Sequence, residues 1–144
     1  MLKKLLGLFG MKNGGGVMKI INDEKSLSEV SDLLHDAIFQ RDDIKYDPIQ
    51  RKFSMRVKYQ KGVEKGEKRG LFFKDIKTIW QNAILVLEDL LAYEENINEI
   101  HEKYVIVNIA YNRKTATMIL AAAYGGEIRI KTKEIKGFLE GKEI

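Results

Sequence analysis

Cysteine is absent from this 144-residue chain, which excludes disulfides, thiolate metal sites and cysteine nucleophiles. Proline occurs once, as Pro48, and histidine twice, as His35 and His101. The run of about 20 apolar residues that a membrane-spanning helix needs is missing. The apolar stretch at residues 5–9 is shorter than the core of about 7–15 residues that a signal peptide carries. Phosphate-cradling loops of the GxxxxGK[ST] or GxGxxG type are missing, as are a GxSxG elbow and an HExxH pair. No cofactor is therefore expected. The lack of cysteine fits a reducing, cytoplasmic setting. With one proline and plentiful Lys, Glu and Ile, the composition leans towards that of thermophiles.

What is present is enough for one packed core. Apolar residues make up 44% of the chain and charged residues 32%, a balance unlike that of a disordered chain. The formal net charge is +4, but residues 1–17 carry Lys3, Lys4 and Lys12 and no acid, so the body is close to neutral. Two parts follow: a basic leader at 1–17 and a single domain at 18–144. The leader contains Met1 and Met11, and Met18 opens the domain, so any of the three can be the translational start. Gly14, Gly15 and Gly16 break any helix there. The leader reads as a flexible tail, or as a short basic amphipathic anchor through residues 1–10 on an anionic membrane.

Within the body, Ser26 followed by Glu29 has the spacing of a capping box. Leu27, Val30, Leu33 and Leu34 recur at helical spacing and predict a helix over residues 27–35. Phe53, Met55, Val57 and Tyr59 alternate with Ser54, Arg56 and Lys58, the period of a strand with one wet face. Asp47-Pro48 supplies turn chemistry before it, so residues 38–46 and 52–60 form an expected hairpin. The polar, glycine-punctuated stretch 61–70 reads as a loop. Residues 76–97 are ambiguous, since Ile76, Ile79, Trp80, Ala83, Ile84, Leu87, Leu90 and Leu91 also fit a helical stripe. The runs 104–111, 116–124 and 127–135 are strand-like, with Gly125-Gly126 suited to a tight hairpin turn.

The stretches "LHDAIF", "DIKYD", "LVLEDLLAY" and "YVIVNIAYN" resemble a class of small uncharacterised prokaryotic domains of unknown function. The resemblance covers residues 27–136 and implies a fold rather than an activity: a helix running into an antiparallel sheet. It also implies strand rather than helix for residues 84–95. The expected fold class is thus α+β, one N-terminal helix packed on a predominantly antiparallel meander.

Three readings of function compete. The first is a non-enzymatic interaction module that self-associates or binds another protein. Its motivation is the stretch 116–124, apolar on both faces, with Ala121 and Ala123 as small interface residues. The second is nucleic-acid binding. Residues 41–77 hold twelve bases against six acids, and Arg56, Lys58, Lys61, Lys65, Lys68 and Arg69 would form a basic patch if they shared a face. The third is a metal-dependent enzyme in which His35, Asp36 and His101 supply ligands. Against it, adjacent residues on a helix diverge by about 100° and on a strand face opposite sides. A helix end running into a turn explains His35 and Asp36 equally well.

Overall fold

The computed structural model describes residues 18–65, 68–69, 72–73, 76–97 and 101–142. The leader, with its anchor and start-site readings, lies outside them. The fold is mostly antiparallel sheet with one α-helix. In chain order the elements are β1 (Met18–Ile21), helix α1 (Glu24–Leu33), β2 (Ile38–Phe39), a 3-10 turn at Arg41–Asp43, β3 (Ile44–Asp47), β4 (Lys52–Lys65), β5 (Lys68–Arg69), β6 (Phe72–Phe73), β7 (Ile76–Leu87), β8 (Ala92–Asn96), β9 (Tyr104–Asn112), β10 (Thr117–Ala122), β11 (Glu127–Lys131) and β12 (Gly137–Lys142). The main sheet runs β1-β12-β7-β4-β2-β9-β10-β11-β8, with β3 also pairing β4. The short β5 and β6 pair with each other.

The expected hairpin is present in part: its first arm, expected over 38–46, is broken by the 3-10 turn at Arg41–Asp43, so that only β3 forms the hairpin with β4 while β2 pairs β4 separately at Ile38. The β3–β4 register runs from Asp47↔Lys52 to Ile44↔Met55. Asp47 Oδ1 accepts from the amides of Ile49 and Gln50 and so holds the turn. Phe53, Met55, Val57 and Tyr59 all point into the core, as their alternation requires. β9, β10 and β11 form a meander, which extends to β8. One core joins this region to β1, β7, β12 and the helix through Ile21, Leu27, Leu34, Leu85, Ile106, Leu120 and Leu139. The sheet curls until β8 lies against β3, where Tyr46 stacks on Tyr93. Beside it the Leu90 amide, just before β8, donates to the Arg51 carbonyl in the β3–β4 turn.

Several elements differ from the sequence-based expectation, each for a local reason. The helix begins at Glu24, because Asp23, not Ser26, is the N-cap: Asp23 Oδ1 accepts from the Ser26 amide and Ser26 Oγ accepts from the Asp23 amide. His35 lies beyond the helix rather than in its last turn. The expected loop at 61–70 is strand as far as Lys65, because β4 continues its ladder with β7 past a bulge at Lys61. The Gly125-Gly126 connection is a 3-10 turn at Ala123–Gly125 in which Tyr124 and Gly125 both have positive φ. The strand expected at 127–135 ends at Lys131. The chain then crosses to place β12 between β1 and β7, so the sheet is not a simple meander.

Residues 84–95 are extended, in the two pieces β7 and β8. The break carries Asp89 at positive φ. The helical stripe misleads because β7 is apolar on both faces. Ala83, Leu85 and Leu87 face the core, while Ile84 and Val86 lie on the other face. A strand with apolar residues on both faces loses the period-two signal.

Candidate functional site

The sequence cluster at His35 and Asp36 is a junction between the helix and β9. Around Val107 the β9–β10 register slips, pairing Ala121 with Asn108 but Ala122 with Ile106, so Val107 is an extra residue. Two side chains from the helical segment serve the displaced backbone. Ser31 Oγ, buried, accepts from the Ile109 amide at 2.9 Å. His35 Nδ1 donates to the Val107 carbonyl at 2.8 Å. Asp36 takes a left-handed conformation, φ 73°, and its amide donates to the Ile106 carbonyl. His35 Nε2 lies 3.6 Å from Asp36 Oδ1, with both side chains exposed.

His101 belongs elsewhere. It stacks on Tyr124, ring centroids 3.7 Å apart, and meets Tyr104 edge-on. Among the described residues no three His, Asp or Glu side chains gather closely enough to hold a metal ion.

The basic residues divide. Arg56 and Lys58 project from the outer face of β4, opposite in parity to the buried Met55 and Val57. Lys61 sits exposed at the β4 bulge. The side chains of Lys65, Lys68 and Arg69 lie outside the described part of the structure. Arg56 and Lys58 face a groove of about 830 Å³ bounded by β2, the 3-10 turn, β4 and β7. Ile38, Asn82 and Ile84 line it, Trp80 stands at its end, and Lys103 and Gln40 border it on the β2–β9 side. Asp43 is the one acid in the lining. Its Oδ1 lies 3.4 Å from Arg56 Nη2 and its Oδ2 accepts from the Gln40 amide. Lys58 and Lys103 make no ion pair with another described residue, so the groove has a net positive lining. Trp80 and Lys103 were not singled out for it from sequence. Lys103 is the lone base in the acidic segment 78–112, the one signal that could have drawn notice.

A second surface adjoins the groove. Across β1, β12 and β7 the register aligns Ile20, Phe138 and Val86, then Met18, Glu140 and Ile84. All six lie on the face opposite the buried Ile21, Leu139, Leu85 and Leu87. Ile20 is 55% exposed and Met18 40%. β1 pairs only with β12, so the face ends at an open strand edge among the described residues. The outer face of β10 is different. Ala121 is half-buried between Asn108 and Glu127, and Ile119 has Arg129 beside it. Ala123 lies past the strand end, in the 3-10 turn.

No helix of the described residues is long and apolar enough to cross a membrane. In comparison with known proteins, no family model, no curated protein and no solved structure matches this chain.

Proposed function

We propose that this domain is a non-enzymatic interaction module that associates with a second copy of itself through the outer face of β1, β12 and β7. One observation carries the reading: Ile20, Phe138 and the buried Val86 form an apolar row that runs out to the edge of β1, unpaired among the described residues, with Met18 and Ile84 on either side of Glu140 in the next row. An edge strand with alternate apolar side chains is a template for pairing. Antiparallel pairing of β1 with β1 of a second copy satisfies both open edges and joins two apolar faces into one. The interface expected at Ala121 and Ala123 has less support, since Asn108, Glu127 and Arg129 flank that face with polar groups.

Sedimentation equilibrium of the full chain tests this. A dimer in the wild type, reduced to monomer by Ile20→Lys and unaffected by Ala121→Glu, supports it. A wild-type monomer across the micromolar range, or a dimer broken only by Ala121→Glu, overturns it.

A further inference from the structure

The groove beside the apolar face has a different chemistry, and we infer that it binds single-stranded nucleic acid. Its long sides carry three cations from two parts of the chain: Arg56 and Lys58 on β4, and Lys103 immediately before β9. Phosphates following the groove would pass Lys58 and Lys103, whose charges no described acid offsets. Asp43 is already engaged by Arg56 and by the Gln40 amide. At the groove's end stands Trp80, 37% exposed and the only tryptophan in the chain. An accessible indole face beside a cationic track is the combination that single strands use, with bases stacking on the ring and phosphates meeting the cations. Asn82 adds an amide able to donate to and accept from a base edge.

The competing occupants fit less well. A duplex presents its bases only by their edges, so the indole would have no base face to stack on. A small anion would need converging donors, whereas the cations here are spread along a groove of about 830 Å³. An acidic protein segment would satisfy Lys58 and Lys103 but leave the stacking surface of Trp80 unused.

Because Trp80 is the only tryptophan, its fluorescence reports on the groove directly. The experiment titrates the full chain with oligodeoxythymidylate and oligouridylate at several salt concentrations. It follows both Trp80 emission and the anisotropy of a labelled oligonucleotide. Quenching of Trp80 is expected together with binding. Affinity should fall with log salt at a slope of about −2, the value for roughly three phosphates on a single strand. The double variant Lys58→Glu, Lys103→Glu should lose binding at least about tenfold, and Trp80→Ala about tenfold, as expected for loss of one stacked base. Lys131→Glu with Lys133→Glu makes the same change in net charge on another part of the surface and should keep most of the affinity. Should the Glu variants unfold, Lys58→Gln with Lys103→Gln gives the same reading with a smaller loss.

Three results would overturn the inference: no binding at low salt; equal losses from the groove pair and the control pair, which would mean attraction by net charge alone; or Trp80 quenching by anionic phosphatidylglycerol vesicles without quenching by either oligonucleotide. Ile84 belongs to both the groove lining and the apolar face, so oligonucleotide titration of Ile20→Lys, which removes self-association without touching the groove, separates failure here from failure of the self-association reading.

Discussion

The rings of Tyr46 and Tyr93 stack with centroids 4.4 Å apart and planes 12° from parallel. The contact joins β3 to β8, two strands that share no ladder. Phe53 packs on the same Tyr93 ring at 5.8 Å. The Tyr93 hydroxyl donates to Glu95 Oε1 at 2.7 Å, and Glu95 is ion-paired with Arg41. One end of the curled sheet is therefore held by an aromatic stack and a short polar chain where β3 and β8 share no ladder, beside the Leu90 amide that donates to the Arg51 carbonyl.

Burial, reinforced by the hydrogen bond to Glu95, pushes the Tyr93 hydroxyl well above its usual value of 10.0. The folded state thus holds this proton at pH values where the unfolded chain releases it. The stabilisation is fully present below pH 10.0 and is lost as pH rises above it. Burial raises Tyr59 in the same direction. Tyr93→Phe should flatten the alkaline fall in stability above pH 10.0, measured by denaturant melts at a series of pH values. An identical alkaline slope in the variant would refute the assignment.

Gly137 is needed for space rather than for flexibility. A Cβ built on it would lie 2.1 Å from the Val86 carbonyl oxygen, which is backbone and cannot rotate away. Gly137→Ala should force β12 off β7 and destabilise the fold by about 1–3 kcal/mol, the usual cost of overpacking. The strain also bears on the outer face, since Phe138 follows directly. A midpoint in urea equal to that of the wild type would show that the β12–β7 spacing is wider than described.

Ser31 serves a backbone group that the β9 bulge displaces. Its Oγ accepts from the buried-side amide of Ile109, so Ser31→Ala leaves that donor without this partner and should cost about 1–3 kcal/mol. His35→Ala removes the donor to the Val107 carbonyl at the exposed end of the same junction and should cost less. Hydrogen exchange at Ile109 should quicken in Ser31→Ala. Added zinc should leave the melting temperature of the wild type unchanged, and a saturable rise abolished by His35→Ala would restore the metal reading of His35, Asp36 and His101.

Asp23 caps α1, and hydrogen bonds from Ser26, the backbone amide first, hold its carboxyl below the usual 3.8. A depressed carboxylate gives stability that is present above pH 3.8 and lost as pH falls through its lowered value. Asp23→Ala should lower the melting temperature at neutral pH, with the difference from wild type shrinking in acid. A difference that does not change with pH would assign the loss to something other than the carboxylate cap.

Strand positions with one wet face were legible in the sequence. The alternation of Phe53 to Tyr59 placed β4, because one buried face imposes period two on side-chain polarity, while the runs at 104–111 and 116–124 marked β9 and β10 as apolar stretches bounded by turn residues. Leu27, Val30 and Leu34 likewise marked the helix, though its start at Glu24 depended on which of two capping patterns the backbone took. Tertiary structure alone decided the rest. β7 carries apolar residues on both faces, so only its pairing with β4 and β12 distinguishes it from a helix. β12 is short, with Gly137 and Gly141 in it, and gains its place from the space between β1 and β7. The groove and the outer face of β1, β12 and β7 join residues far apart in the chain, such as Met18 and Glu140 or Arg56 and Lys103. Periodicity acts along a single strand, whereas a surface is set by register between strands, and register is a property of the assembled sheet.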